Sequence, residues 1–351
     1  MAAALVLGSG SAAVASPAPP TCAISAPGTT SRRTPRGDIT GYRNEAGGYV
    51  LWRHDTYVPV PLGDQVSGVG DINRRADVVG HLSDGAAFLW RDGTLTRLAY
   101  PAGSPVWAAA VNDRDEVAGF RGVDDWAPDR PLVWRNGTFQ DFPTWHVPSA
   151  GEAVGINNRS QVLVNLYAPD GSRQHALLWW HGAVTDLGSL GGGLSWAVAL
   201  NETGTVLGWS TDAAGDWRPF RWEHGTMTDL TPTAAGWNGD ITTLGENGDV
   251  VGQVDGHPAL WRRGVLSETL ADRYGVATAI NDRGDLAGTT FDPVNPDIVR
   301  TPFRWRHDTV TTFGILYPRL AGTWVNAVDD RVIGISPAEG GADHIVIWTA
   351  H

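Results

Sequence analysis

Eight tryptophans, Trp52, Trp90, Trp134, Trp179, Trp222, Trp261, Trp305 and Trp348, close eight similar segments of a 351-residue chain, at successive spacings of 38 to 45 residues. A period of that length is typical of four-stranded blades arrayed in a ring. Scattered core tryptophans do not explain it, because the flanking residues recur too. In one unit, Ala197-Val198-Ala199-Leu200 leads into Asn201-Glu202-Thr203-Gly204 and then Val206-Leu207-Gly208. After a variable loop come Pro219-Phe220-Arg221-Trp222, the pair His224-Gly225, and Met227-Thr228-Asp229-Leu230. The unit reads as four strands, A to D.

The turns between them have a chemistry. Asn-x-x-Gly suits a type I turn, with Asn bonding the local backbone and Gly accepting positive φ. Asn281-Asp282-Arg283-Gly284 repeats it fully, whereas Asn73, Asn112 and Asn157 are followed by Ala76, Asp115 and Ser160 in place of Gly. Asp92-Gly93, Asn136-Gly137, His181-Gly182, His224-Gly225 and Arg263-Gly264 are two-residue C–D hairpins. Acids around Asn281 and Asp285 do not make a calcium loop, which needs about six oxygens at regular spacing. No sustained helical periodicity is present. One blade cannot bury both of its faces, so stacking in a closed ring is expected. The fold class is therefore all-β, a β-propeller of eight four-stranded blades. Seven blades are the alternative, because strand A of the first unit is degenerate. The last unit lacks a strand D, and residues 21–25 are expected to supply it beside Ile345-Val346-Ile347-Trp348.

Composition narrows the function classes. The formal net charge is -12 and every one of the 26 basic residues is Arg, which disfavours nucleic acid and anionic membranes as partners. Residues 1–15 read as an export signal. Ala2 to Leu7 is apolar, Ala13-Val14-Ala15 offers a small-x-small cleavage site, and the positive n-region is missing. The run is too short to span a bilayer. Residues 16–29 read as a linker and candidate ring-closing strand, and 30–351 as one propeller. Cys22 is the only cysteine, so no internal disulfide forms.

Ile280-Asn281-Asp282-Arg283-Gly284-Asp285-Leu286-Ala287-Gly288, His175-Ala176-Leu177-Leu178-Trp179 and Thr185-Asp186-Leu187-Gly188-Ser189-Leu190-Gly191-Gly192 resemble the motifs of the HAF-repeat, or "probable extracellular repeat", proteins of bacteria. The resemblance covers residues 30–351. It implies a secreted, extracellular propeller-like fold and no settled activity. The family's His falls on His175, His257 and His344, while Arg130, Arg218 and Thr301 stand there elsewhere. That departure marks the His as structural.

Strand order places the short A–B and C–D turns on one end of the ring and the variable B–C loops on the other. Variable loops on a regular scaffold usually carry function. Trp107, Trp196 and Trp324 share one place, four residues before the last apolar residue of strand A, where Gly68, Glu152 and Val276 stand in other units. They are expected nearest the axis, at the channel mouth, with Trp126, Trp209 and Trp217 on the rim. Aromatic rims suit sugar rings or apolar ligands, and packing as a plug is the competing role. Catalytic motifs, metal sets and cofactor loops are absent from the sequence. Two readings stand. The first is a non-catalytic extracellular binding propeller for polysaccharide or a surface partner, expected as a monomer without cofactor or metal. The second is a propeller glycan hydrolase or lyase using an acid/base pair among loop carboxylates such as Asp124, Asp125, Asp129, Asp212 and Asp216.

Overall fold

The computed structural model describes residues 3–6, 22–23, 38–43, 48–53, 59–98, 100, 104–122, 128–141, 150–168, 173–231, 239–293, 300–306, 309–314, 324–328, 331–337 and 343–349. Among them every regular element is a strand, and all paired strands are antiparallel. Seven four-stranded sheets are each built from consecutive strands. Blade one runs Cys22–Ala23, Ile39–Arg43, Gly48–Trp52 and Pro59–Pro61, and blades two to seven begin at Val66, Val106, Gly151, Gly191, Gly239 and Gly275. An eighth four-stranded sheet joins Trp324–Val328, Arg331–Pro337 and Asp343–Thr349 to Ala3–Val6 from the other end of the chain. The chain is a β-propeller, with strand A innermost in each blade.

Closure departs from the sequence expectation at one point. Of residues 21–25, Cys22 and Ala23 are described, and they do not complete the last blade. Cys22 and Ala23 pair with Arg43 and Tyr42, as the inner strand of blade one. The outer place is taken by Ala3–Val6, in register from Ala3 opposite Thr349 to Val6 opposite Val346. The physical reason is the degenerate start of the first unit, which leaves its inner edge open to the nearest extended residues. The outer edge of Asp343–Thr349 then accepts the more apolar run. An export signal and a closing strand are alternative uses of that same run.

The core is a series of layers between blades. Leu163, Ala176, Leu178 and Leu187 of blade four pack with Ala197, Leu200, Val206, Phe220 and Trp222 of blade five. Leu207 and Leu230 of blade five pack with Ile241, Val250, Val254, Ala259 and Trp261 of blade six. In blades two to seven the strand C tryptophan thus turns towards the preceding blade. Trp179 and Trp222 are both buried, as their place in the repeat requires.

The repeat motif is explained by close contacts. Strand A carries a bulge at one place in seven sheets, for example between Ala108 and Ala110, Ala197 and Ala199, and Ala277 and Ala279. Just before it, the carbonyl of strand A turns onto the glycine of strand B. A methyl group on Gly80, Gly119, Gly208, Gly252 or Gly288 would collide with the carbonyl oxygen of Gly68, Trp107, Trp196, Asp240 or Val276 respectively. Val164 holds the equivalent place in blade four. Gly252→Ala is expected to lower the stability by about 1–3 kcal/mol, the range for forcing extra volume into a packed site. Chemical denaturation reads it, and an unchanged midpoint would reject the close-approach account.

The turns keep their geometry even where glycine is lost. Ala76, Asp115 and Ser160 have φ of 64°, 66° and 61°, beside 89°, 81° and 80° at Gly204, Gly248 and Gly284. In the C–D hairpins both central residues have positive φ, such as 49° and 86° at His224 and Gly225, the type I′ pattern that matches strand twist.

The Asn of the A–B turn does more than shape its own loop. The Nδ2 of Asn73 donates to the carbonyl of Asn112, Asn112 to Asn157, and Asn157 to Asn201, each at 3.0 Å. Asn201 continues to the carbonyl of Gly245 at 3.0 Å. A second series runs beside it. The backbone N–H groups of Arg74, Asp113, Asn158 and Glu202 donate to the side chains of Asp113, Asn158, Glu202 and Glu246 in the next blade, at 2.7 to 3.0 Å. Two hydrogen-bonded belts therefore tie five consecutive blades together on the turn end.

Candidate functional site

Among the described residues the opposite, B–C loop end shows no such belt, and it holds the candidate tryptophans. Trp107 lies in the inner strand of blade three, opposite Phe120. Its ring meets His81 of blade two edge-on at 3.7 Å and stacks near Phe120 at 6.4 Å. Its indole N–H is buried and makes no hydrogen bond among the described residues. Trp196 lies at the same place in blade five, opposite Trp209, and meets Tyr167 of blade four edge-on at 5.1 Å. Trp209 itself packs with the blade five–blade six layer. Each inner indole thus touches a ring of the preceding blade.

Trp217 begins strand C of blade five, opposite Thr211, and is 39% exposed. Trp324 begins the inner strand of the eighth sheet, opposite Ile335. Trp126 lies outside the described residues, as do Asp124 and Asp125. The structure therefore gathers Trp196, Trp209 and Trp217 in one blade and Trp107 two blades away, with Trp324 at the equivalent place of the eighth sheet.

The described loop carboxylates have partners. Asp129 is held by the Arg121 guanidinium, with Nε at 2.9 Å. Asp212 accepts from Arg218 at 3.0 Å and from the backbone N–H groups of Asp216 and Ala214. Desolvation works against ionisation of Asp212, but the Asp216 N–H, Arg218 and the Ala214 N–H outweigh it and hold the carboxyl below its ordinary range. Asp216 lies 3.7 Å from Arg218. A general acid needs the opposite shift. These carboxylates shape their own hairpins.

The histidines of the repeat have local partners as well. His175 Nδ1 lies 2.8 Å from Asp186 on strand D of its own blade, and Asp186 also accepts the N–H of Gly188 at 2.8 Å. His257 Nδ1 lies 2.9 Å from the Arg273 carbonyl. Among the described residues no group of three His, Cys, Asp or Glu side chains is placed to hold a metal ion, and no helix is long and apolar enough to cross a membrane.

Sequence reasoning missed Tyr274. It sits in the D–A connection before the inner strand of blade seven and is 42% exposed. Its ring lies on His257 at 4.6 Å, above the two-residue B–C turn of blade six. A lone Tyr ahead of a strand carries no repeat signal, because Pro105 holds the same place in blade three.

No family model matches the sequence, and no curated protein matches it. Solved structures similar to it include YCF48 from Cyanidioschyzon merolae, with a TM-score of 0.45 and 10% identity over 80% of this chain and 94% of that one. TolB from Acinetobacter baumannii gives 0.38 and 12% over 95% and 79%. The gluconolactonase XC5397 from Xanthomonas campestris gives 0.38 and 11% over 97% and 98%.

Proposed function

We propose that this chain is a secreted, non-catalytic binding propeller of the HAF-repeat kind, which takes a neutral or cationic carbohydrate at the channel mouth on the B–C loop end. The observation that carries this reading is the placement of Trp107 and Trp196. Both stand at one repeat position on the channel edge, and each is built into an aromatic contact spanning two blades. A rigid aromatic at a mouth presents a flat apolar face to a ligand at low entropic cost. The net charge of -12 favours a neutral or cationic ligand over an anionic one. The binding reading is preferred to a hydrolase or lyase because Asp129 and Asp212 are bound to arginines of their own hairpins.

A glycan array followed by titration tests it. The double variant Trp107→Ala with Trp196→Ala is expected to lose at least about tenfold in affinity for the glycan that the parent selects, equivalent to about 1.4 kcal/mol. The Phe pair at the same positions keeps the packing and serves as the folding control. A folded Ala double variant with the parent's affinity would refute the site.

A further inference from the structure

Among the described residues, the reach of strand B differs most between neighbouring blades at blades five and six. Counted from the equivalent residues Val206 and Val250, strand B runs six residues further to Asp212 in blade five but only four to Val254 in blade six. Blade six then turns through Asp255 and Gly256, both at positive φ (51° and 79°), and resumes at His257. At about 3.3 Å per residue, blade five stands some 7 Å above its neighbour.

Trp217 lies on the wall of that step. Leu207 and Trp209 pack into the layer shared with blade six, and Thr211 continues the same alternation. Trp217 is opposite Thr211, and antiparallel partners share a sheet face. The indole therefore belongs to the face turned over the shorter blade. Tyr274 covers the top of that blade. The N–H of Gly275 donates to the Gly256 carbonyl at 2.8 Å, which draws the connection over the turn. A methyl on Gly256 would lie 3.2 Å from the Tyr274 ring, so the glycine lets the ring lie close.

Neither aromatic is demanded by the scaffold. Blade three makes the same backbone bond, Val106 N–H to Gly85 carbonyl at 2.9 Å, with Pro105 in place of Tyr274. At the place of Trp217, five residues before the strand C tryptophan, other units have Gly85, Asp129, Gln174, Gly256 and Arg300. Two exposed aromatics thus break the repeat, on either side of the only corner where a tall blade meets one this short among the described residues.

From this we infer a second carbohydrate subsite, a corner over blade six with Trp217 as its wall and Tyr274 as its floor, for a neutral oligosaccharide. It rests on the glycan-binding reading above and extends it away from the axis. Sugars match the alternation of surfaces: their ring faces are apolar and their hydroxyls lie at the edges. The apolar faces meet the two aromatic rings, and the hydroxyls meet the exposed Asp255 carboxylate on the turn. The exposed Asp255 carboxylate beside the Tyr274 floor favours a ligand edged with hydroxyls over an apolar peptide or lipid.

The test is titration calorimetry of the full chain with cello-, xylo- and N-acetylchito-oligosaccharides. Trp217→Ala and Tyr274→Ala are each expected to weaken the best of these by about tenfold or more. Trp217→Phe and Tyr274→Phe, which keep a ring, should stay within about threefold of the parent. Both side chains are partly exposed, so melting temperatures should hold, and the Phe pair answers the question if an Ala variant does not fold. Loss of affinity in the Trp107 and Trp196 double variant alone, with the corner variants binding like the parent, overturns the corner and leaves the mouth reading intact. If the parent binds none of the three series but binds another glycan on an array, the corner's ligand class is wrong. If it binds no glycan at all, both readings fall.

Discussion

Trp261→Ala is expected to lower the unfolding free energy by about 3–5 kcal/mol, the range for truncating a large buried aromatic. Trp261 is fully buried in the layer that joins blade five to blade six. Its indole N–H donates to the Leu230 carbonyl of blade five at 2.7 Å. Truncation therefore opens a cavity between two blades and also removes the donor of an acceptor that belongs to the neighbouring blade. The two losses fall on one interface, so blades five and six should separate first on unfolding. Denaturant unfolding measures the loss, and hydrogen exchange across Val250–Val254 locates it. Trp134 provides the internal comparison, because it is only partly buried against its layer, and Trp134→Ala should cost less. A loss below about 1 kcal/mol at Trp261 would mean that the strand C tryptophan does not hold the blades together.

That tryptophan was legible in the sequence because its place in the repeat is fixed by one blade alone. Strand order, the C–D hairpins and the absence of helix among the described residues were legible for the same reason: Asp92-Gly93 or His224-Gly225 specifies its turn within four residues. What the sequence hid depends on relations between blades. Ala76, Asp115 and Ser160 lack the glycine, yet the chain keeps positive φ there, because the flanking strands fix the turn. Trp196 and Trp107 were readable as a repeated position, but their contacts with Tyr167 and His81 belong to neighbouring units. Tyr274 is exposed only because blade six is short, and no reading of one unit reveals a difference in height. The closing strand was misplaced because Cys22 and Ala23 fit an inner edge as readily as an outer one, and only the register of Ala3–Val6 with Val346–Thr349 decides it.

The Asn of the A–B turn is the strongest case of such a hidden relation, and Asn157 shows its size. Its Oδ1 accepts the backbone N–H groups of Arg159 and Gln161 at 3.0 and 3.1 Å. Its Nδ2 donates to the Gln161 side chain at 2.7 Å and to the Asn201 carbonyl of blade five at 3.0 Å. All four hydrogen-bonding positions of the amide are filled, in a residue that is almost wholly buried. Asn157→Ala would leave two N–H groups and the Asn201 carbonyl without this partner. At about 1 kcal/mol or more for each of the three groups left unpaired, a total loss of at least about 3 kcal/mol is expected. Asn157→Asp separates the local role from the belt. A carboxylate keeps the two acceptor bonds that form the turn but cannot donate to Asn201, and its second oxygen would face a carbonyl. If the residue only shapes its own turn, Asp should be tolerated at neutral pH. If the belt matters, Asp should destabilise by an amount comparable to Ala, and lowering the pH until the carboxyl protonates should recover part of the loss relative to the parent. The series itself indicates which outcome to expect. It stops at Gly245, which accepts from Asn201 but has no amide to pass on, and there the inter-blade links move to hydroxyls of the inner strand. In blade six Thr242 donates to the Ala277 carbonyl at 2.6 Å and Thr243 to the Thr278 carbonyl at 2.8 Å. Where the asparagine is missing, another side chain ties the blades, which is what a requirement for the link, rather than for the turn, would produce.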